Sequence, residues 1–379
     1  MSLARALANL FRSGPLVRDA AASRNLAVFA SLLGPAYRGL VQQPGRTARS
    51  AMPAAHAAHF DWSYERSQPE MTRLYEAAKA SQWNASVDLD WAVDVDPLSE
   101  EKPLLPDSFN PVYSLPVFQR LTPAERARQR HALTSWLLSQ FLHGEQGALY
   151  AAAQVTEAVP WLDAKLYGAS QVVDEGRHVE VFHRYLTAKL ERLYVIDDNL
   201  YVLIDALMTD SRWDMKFLGM QILIEGLALG AFGMLRQLTR EPLLKQLLTY
   251  VITDEARHVH YGVLALQQHF QSLGERERRF REDWTFEMAV LLRNRFLAYK
   301  FYDEHWAHAL TRKQWEQAVL ASELMGLFRR TMFKRIVPNL KRIGLLSERV
   351  RPKYQALGLL EYEGGKAAPE LSAPELLDD

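Results

Sequence analysis

One five-residue pattern occurs twice in this chain, and it constrains the fold more than any other feature. The pattern reads Asp-Glu-Gly-Arg-His at residues 174–178 and Asp-Glu-Ala-Arg-His at residues 254–258. A further glutamate stands 30 residues before the glutamate of each copy, at Glu145 and Glu225. Every position in the first set therefore lies 80 residues before its counterpart in the second. A repeat that keeps this register over three separated positions predicts two similar structural halves.

The spacing places the polar residues of each half at one level of a helical hairpin. Residues three apart in an α-helix are separated by about 60° around the axis and about 4.5 Å along it, so the glutamate and histidine of each copy face one side. Pro160 lies midway between Glu145 and Glu175, and a break near Pro242 lies midway between Glu225 and Glu255. Reversals at these two points return both glutamates of a hairpin to the same height.

Two such hairpins, packed face to face, bring four glutamates and two histidines together. This set is the one that carboxylate-bridged dinuclear iron or manganese sites use in four-helix bundles. The sequence therefore predicts a dinuclear metal site whose ligands are Glu145, Glu175, His178, Glu225, Glu255 and His258. Burial of a carboxylate in an apolar stretch costs several kcal/mol unless it has a partner, and Glu225 lies in such a stretch.

The composition limits the kinds of metal site and of binding partner that the chain can have. The chain has no cysteine, which excludes disulfides, thiolate metal sites and iron–sulfur clusters. Oxygen and nitrogen ligands suit iron and manganese. The net charge is zero, so we expect no nucleic-acid partner. The most apolar stretch, residues 220–235, is short for a membrane span and contains Glu225, so we predict a buried core helix and no membrane span.

The pattern of apolar residues predicts an all-α protein with a four-helix bundle core and additional flanking helices. Thr122, Pro123 and Glu125 form a predicted capping box where the bundle begins. We predict four regions, a basic, irregular N-terminal arm (1–68), a helix plus wrapping loop (69–121), the bundle (122–340) and a C-terminal extension that is disordered at its end (341–379). Predicted helices span residues 70–83, 122–158, 161–190, 200–207, 213–238, 242–273, 276–308 and 312–337.

The N-terminal arm permits more than one interpretation. Its first 50 residues contain seven arginines and one acidic residue, Asp19. This composition is typical of a transit peptide or of a helix on a membrane surface. We favour the alternative, a basic arm that packs on the protein or on a partner, because composition alone is weak evidence for targeting.

The doubled Asp-Glu-x-Arg-His pattern resembles the ferritin-like, ribonucleotide-reductase-like di-iron carboxylate superfamily. It is most similar to the hydroxylase subunits of bacterial multicomponent monooxygenases, and the resemblance covers about residues 120–275. It implies that Glu145, Glu175 and His178 hold one iron and that the other three ligands hold the second, with some glutamates bridging. It further implies a supporting set in which the aspartates accept hydrogen bonds from the ligating histidines and the arginines anchor the aspartates: Asp174, Arg177, Asp254 and Arg257. Ordinary ion pairs on a helix surface are the alternative for these four.

The sequence departs from related enzymes at three positions. Monooxygenases usually carry threonine where this chain has Leu229, so the resemblance does not extend to proton delivery by a hydroxyl group at that position. Ala152 stands where radical-generating reductase subunits carry a tyrosine, and Val251 stands where arylamine oxygenases carry a further histidine. These positions argue against a tyrosyl radical and against a seven-ligand site.

The leading functional hypothesis is a cytoplasmic di-iron oxidoreductase, an oxygenase or monooxygenase in particular. It would activate dioxygen to hydroxylate, desaturate or N-oxygenate a small, apolar organic substrate. A reductase or ferredoxin would donate electrons, and a homodimer is a family-level expectation. The alternatives are a ferroxidase or metal store, a manganese–iron oxidase, and a non-catalytic helical subunit. No catalytic residue is assigned beyond the metal centre.

Several other residues allow two interpretations. The third Glu-x-x-His match, at Glu180 and His183, points about 140° away from Glu175 around the helix and is predicted to lie on the surface. Small residues near the predicted ligands would leave room for a substrate or allow close helix packing: Gly144, Ala152, Gly226, Ala228 and Gly230. The charged run 275–283 is predicted to form a solvated helix start.

Overall fold

A computed structural model of the chain describes residues 25–371 and Glu375. It leaves undescribed the side chains of Glu323, Leu324, Phe328, Arg329 and Met332. Every regular element in the described part is helical, and no β-strand occurs there. The predicted all-α class is therefore confirmed.

The helices are numbered here in chain order. Their bounds are α1 Leu26–Ala36, α2 Pro69–Ala80, α3 Pro116–Gln119, α4 Pro123–Ala158, α5 Leu162–Ala188, α6 Asp198–Thr209, α7 Trp213–Leu238, α8 Pro242–Gln271, α9 Glu275–Arg295, α10 Tyr299–His305, α11 Arg312–Ala321, α12 Glu323–Arg342 and α13 Arg351–Ala356. A π-helical turn at Tyr37–Gln42 extends α1. Short 3-10 turns lie at Pro44–Arg46, Asp107–Phe109, Leu360–Tyr362 and Ala368–Glu370.

Helices α4, α5, α7 and α8 form the central bundle, as two antiparallel hairpins. The predicted capping box begins α4, where the Thr122 side chain accepts from the Glu125 backbone and Glu125 bonds back. Pro160 lies in the turn between α4 and α5. Glu241 caps α8 by accepting hydrogen bonds from the backbone N–H groups of Leu243 and Leu244. The two predicted reversals are thus present, and the longer connection through α6 links the hairpins.

Helix α7 carries the longest apolar stretch of the described chain. Its length and composition would allow it to cross a membrane, but 94% of its most apolar window is buried inside the protein. Residues Leu218–Glu225 form a π-helical segment within it. A π-helical segment inside an α-helix is frequent at functional sites, and this one ends at Glu225. The sequence analysis did not predict it.

Part of the N-terminal region is more regular than predicted. Residues 1–24 lie outside the described residues, but α1 and its π-helical extension pack on α6. Arg38 donates two hydrogen bonds to the buried carboxylate of Asp205, at 2.6 and 2.7 Å. Residues 26–46 of this arm are therefore mostly helical. There the apolar side chains Val28 and Leu32 are buried, and their burial stabilises a helix despite Pro35.

The C-terminal helices differ from the prediction in their breaks. The predicted helix 276–308 is interrupted at Ala298, whose φ of 46° is left-handed. The predicted helix 312–337 is split at Ser322, whose side chain caps α12. The start of α9 is also less solvated than predicted, because Glu282 and Asp283 are buried and bonded to Arg349.

The C-terminal extension packs on the bundle over much of its length. The backbone N–H of Ala368 donates to the Asn339 side chain at 2.8 Å, and Ala367 and Ala368 are buried. Residues 372–374 and 376–379, where disorder is predicted, lie outside the described residues.

Candidate metal centre

The six predicted ligand side chains lie together in the centre of the bundle. Helices α4 and α7 each contribute one glutamate, and α5 and α8 each contribute a glutamate and a histidine. All six are buried, with at most 4% of any of them exposed: Glu145, Glu175, His178, Glu225, Glu255 and His258. The sequence alone therefore identified a set of residues that the fold does bring together.

Two overlapping groups of donor atoms occur within this cluster. In each group, one atom from every member lies within 4.8 Å of the others. Glu145 and His178 belong to one group only, and Glu225 and His258 to the other. Glu175 and Glu255 belong to both. This arrangement could hold two metal ions, and Glu175 and Glu255 are the residues that both positions would share, an assignment that the spacing left open.

Both histidines turn Nδ1 toward the carboxylates. In His178 this atom lies 3.2 Å from Glu145 and from Glu255, and 3.3 Å from Glu175. In His258 it lies 3.1 Å from Glu175. Nδ1 is therefore the atom that each ring could offer to a metal ion.

The Nε2 atoms face the two aspartates in a crossed arrangement. Nε2 of His178 lies 3.2 Å from Asp254 Oδ2, and Nε2 of His258 lies 3.2 Å from Asp174 Oδ2. Each aspartate thus supports the histidine of the opposite hairpin, not the histidine four residues after it. A ligating imidazole with its second nitrogen held in this way has a fixed tautomer and orientation.

Two arginines hold the aspartates. Arg177 forms an ion pair with Asp174 on α5, and Arg257 forms one with Asp254 on α8. In each pair the two residues are three positions apart on the same helix. Each arginine also approaches the other aspartate, Arg177 at 3.6 Å and Arg257 at 3.9 Å. All four residues are connected across the two hairpins, which argues against simple surface ion pairs.

Three further residues, which the sequence pattern did not indicate, support the cluster. Gln171 Nε2 donates to Glu175 at 3.1 Å and to Glu225 at 3.0 Å. Gln221, in the π-helical segment, donates to Gln171 Oε1 at 3.4 Å. The indole N–H of Trp83 donates to Asp254 Oδ2 at 2.8 Å. Gln171 stands one turn before Glu175, and that register was the one signal that could have indicated it.

Several buried oxygen and nitrogen atoms that could bind a metal ion have no hydrogen-bond partner within the described residues. They are Glu175 Oε2, Glu225 Oε2, both carboxylate oxygens of Glu255 and His258 Nδ1. Such atoms are rare in a folded interior, because an unsatisfied polar group there costs free energy. Metal ions would satisfy all of them, so the residues present fit a dinuclear metal centre.

The electrostatics of the cluster favour bound cations. Burial and neighbouring carboxylates raise the pKa of Glu145 and of Glu225 well above the usual value. For His178, burial is outweighed by the surrounding carboxylates, led by Asp254, which raise its pKa. The four glutamates and two aspartates, less the two arginines, leave a formal charge of −4 with neutral histidines, which two divalent cations would neutralise.

A small cavity of about 10 Å³ adjoins the cluster. It is lined by Glu145, Glu225 and seven other residues: Gln140, Phe141, Gly144, Ala148, Ile224, Ala228 and Arg295. A cavity of this volume holds about one water molecule. Of the small residues noted in the sequence, Gly144 and Ala228 line this cavity, whereas Ala152, Gly226 and Gly230 do not.

The remaining sequence features lie elsewhere. Glu180 and His183 are both exposed, as predicted for the third Glu-x-x-His match. Leu229 is buried and has no hydroxyl group. Tyr167 packs its ring on Tyr261 at 4.5 Å, and burial raises the pKa of Tyr167.

Comparison with known proteins finds a group of solved structures that are similar to this chain. No protein-family model and no curated protein matches the sequence. An R2-like ligand-binding oxidase with an aerobically reconstituted metal cofactor after photoconversion is 19% identical, over 75% of this chain and 94% of its own, with a TM-score of 0.45. Another, with an aerobically reconstituted Mn/Fe cofactor, is 19% identical over 76% of this chain and 94% of its own, with a TM-score of 0.43.

The four helices of the bundle contribute their ligand side chains in a characteristic pattern. A glutamate from each of two helices and a Glu-x-x-His pair from each of the other two project into the core of a four-helix bundle with one long connection. This is the defining ligand pattern of ferritin-like di-metal carboxylate proteins. The chain therefore has a ferritin-like helical bundle, and the carboxylate–histidine cluster at its centre is of the kind that such di-metal proteins use.

Proposed function

We propose that this chain is a dioxygen-activating oxidoreductase with a dinuclear metal centre, acting as an oxygenase or oxidase on a small organic substrate. The observation that carries the proposal is the pair of overlapping ligand groups that share Glu175 and Glu255. Their buried oxygen atoms without partners support two bound metal ions. Hydroxylation, desaturation and N-oxygenation of the substrate are all within the chemistry proposed.

The proposed cofactor is two iron ions, with one manganese and one iron as the alternative. Glutamate and histidine ligands suit both metals and do not separate them. When bound, such a pair of metal ions supplies the electrons that reduce dioxygen and the oxidising power that acts on the substrate.

The chain's own residues have three tasks in this proposal. Asp174 and Asp254 hold the histidine rings so that Nδ1 faces the centre. Gln171 positions Glu175 and Glu225 through its two hydrogen bonds. The almost complete burial of the cluster excludes bulk water, which protects reactive species from side reactions. Leu229 offers no hydroxyl group, so no proton delivery is assigned to its position.

Metal content is the direct test of the centre. Protein expressed with both iron and manganese available should contain about two metal ions per chain by elemental analysis. Glu255→Ala should remove most of the bound metal, because Glu255 belongs to both ligand groups. Glu180→Ala is the matched control, because Glu180 belongs to the exposed Glu-x-x-His match. A wild-type protein that binds no metal after reconstitution would overturn the proposal.

A second candidate function is ferrous iron oxidation or metal storage. The small volume of the cavity favours it, because about 10 Å³ accommodates little more than a water molecule. Repeated turnover of an organic substrate, with dioxygen consumed and an external electron donor oxidised, would support the oxygenase. Oxidation of ferrous iron alone would support the second candidate.

The proposed partners are dioxygen, the organic substrate and a reductase or ferredoxin that donates electrons. A homodimer and a cytoplasmic location are also proposed. Sedimentation analysis of the purified chain tests the first of these two. Coupled dioxygen consumption with candidate electron donors tests the supply of electrons.

A further inference from the structure

We propose that helix α1 docks on the surface of a membrane that contains anionic lipids, through an apolar stripe on its outer face. The helix has 11 residues, which is too short to cross a bilayer, so the contact is with the membrane surface. This inference goes beyond the proposed metal chemistry and does not depend on it. Two observations carry it: the exposure of the stripe and the charge of the segment that contains it.

Helix α1 is apolar on two opposite faces. It contains no charged residue. The helix packs on α6, and Val28, Leu32 and Pro35 on its inner face are buried. At about 100° per residue, a second set of apolar side chains lies within a sector of about 60° on the opposite face. This outer stripe consists of Leu26, Ala30, Leu33 and Tyr37, the last of which begins the π-helical extension.

The outer stripe is well exposed for a set of large apolar side chains. Leu26 is 83% exposed, Leu33 53% and Tyr37 55%. A helix that is apolar all round is ordinarily buried all round, as most of α7 is. An exposed, contiguous apolar surface marks a site of contact with another molecule or with a membrane.

The charge of the surrounding sequence favours an anionic lipid surface as the occupant. Residues 1–50 contain seven arginines, no lysine and one acidic residue, so their formal charge is +6. The net charge of the whole chain is zero, so the remaining residues carry −6. Arginines beside an apolar helix face are the combination that holds helices at the surface of anionic bilayers.

Acidic groups near α1 do not cancel this positive charge. Three aspartates accept hydrogen bonds from α1 or from the residues that flank it. Each of them is paired with a cation: Asp283 with Arg349, Asp198 with Lys300 and Asp205 with Arg38. Arg49 is exposed and forms no ion pair within the described residues, so its charge is available to a lipid headgroup.

A second copy of this chain is a less suitable occupant of the stripe. In a symmetric dimer the stripe of one copy would face the stripe of the other, which brings two segments of charge +6 together. Like charges across an interface oppose association. A bilayer instead accepts the leucines and the Tyr37 ring at the boundary between headgroups and acyl chains, while its anionic headgroups attract the arginines.

The experiment measures sedimentation of the full chain with vesicles of phosphatidylcholine, either alone or with about one third phosphatidylglycerol. Wild type should bind the anionic vesicles much more strongly than the neutral ones. Leu33→Asn should weaken binding to the anionic vesicles about fivefold or more, because it removes an apolar side chain from the stripe. Leu327→Asn is the matched control, since Leu327 is similarly exposed, at 45%, but lies on α12. It should bind as wild type does.

A second pair of variants tests the role of charge. Arg49→Gln should weaken binding to the anionic vesicles about fivefold and leave binding to neutral vesicles unchanged. Arg120→Gln, at an exposed position outside the basic segment, is its control and should have no effect. High salt should reduce the binding of wild type to anionic vesicles, because it screens the attraction between arginines and headgroups.

Urea unfolding and sedimentation without vesicles separate membrane docking from other roles of the stripe. Leu33 is exposed, so Leu33→Asn should leave the free energy of unfolding nearly unchanged. Equal binding of wild type to neutral and anionic vesicles, or unchanged binding of Leu33→Asn, would overturn the proposal. A marked loss of stability in Leu33→Asn would also overturn it, since the stripe would then pack within the chain. So would a dimer that Leu33→Asn dissociates, because a second copy would then cover the stripe.

Discussion

Asp254 lies beside the histidine of the opposite hairpin, with its Oδ2 3.2 Å from Nε2 of His178. Burial opposes ionisation of Asp254, but the hydrogen bond and charge of His178, the charge of Arg257 and the Trp83 indole outweigh it and lower its pKa to about 2. Asp254 is therefore a carboxylate that accepts from the ring. Asp174 and His258 repeat the relationship in the other direction.

The crossed arrangement predicts which metal position each aspartate supports. Asp254→Asn should weaken metal binding at the position of Glu145 and His178 by about 10- to 100-fold, because loss of the residue that hydrogen-bonds to a ligating histidine has effects of this size. Asp174→Asn should weaken the position of Glu225 and His258. Anomalous scattering at the two positions in crystals of each variant measures the separate occupancies. Equal loss at both positions in both variants would contradict the crossed assignment.

The shared glutamates should differ from the unshared ones in their effect on metal stoichiometry. Glu175→Ala and Glu255→Ala each remove a member of both ligand groups, so bound metal should fall to well below one ion per chain. Glu145→Ala and Glu225→Ala each remove a member of one group, so about one ion should remain. Elemental analysis after dialysis against a weak chelator gives the stoichiometry. Identical loss in all four variants would refute a bridging role for Glu175 and Glu255.

Gln171 should act by positioning Glu225. Gln171→Met keeps most of the side-chain volume and removes the donor that contacts Glu175 and Glu225. We expect about tenfold weaker binding of the second metal ion, because Glu225 loses its one hydrogen bond in the cluster and its orientation. Metal titration followed by absorption spectroscopy measures this affinity. Gln129→Met, at a half-buried position on α4 away from the cluster, serves as the control and should leave the affinity unchanged.

Lys216 should make stability depend on pH. Burial lowers its pKa from 10.5, the usual value for lysine, to about 8, and its ammonium group donates to Gln154 and to the backbone carbonyls of Leu207 and Met208 in the last turn of α6. Between these pH values the unfolded chain binds more protons at this site than the folded chain. The free energy of unfolding should therefore rise with pH across this window, by up to about 3 kcal/mol from this residue.

Urea unfolding of wild type and Lys216→Met from pH 7.5 to 10.5 isolates the contribution of Lys216. The difference in unfolding free energy, wild type minus variant, should increase with pH. A difference that stays constant would show that the lysine titrates at the same pH in both states.

The cluster was predictable from the sequence to an unusual extent. The register of the two copies and the midway positions of Pro160 and the break near Pro242 are enough to bring Glu145 to Glu175 and Glu225 to Glu255. The capping box at Thr122 and the burial of α7 were also predictable, because both depend on neighbouring residues or on local hydropathy.

The flanking regions were less predictable because distant contacts decide their structure. Residues 26–46 are helical since they bury Val28 and Leu32 and pair Arg38 with Asp205, 167 positions away. Glu282 and Asp283 are buried because Arg349 reaches them from the C-terminal region. A pattern read along one segment contains no information about such partners.

The sequence by itself determined the helical class, the two hairpins and the six residues of the cluster, because helical periodicity and the positions of turns are local properties of the chain. The tertiary structure alone decided that Glu175 and Glu255 are shared, that each aspartate supports the histidine of the other hairpin, and that Gln171 and Arg295 lie beside the centre. These relationships depend on how the two hairpins face each other, and that packing is set by side chains far apart in the sequence.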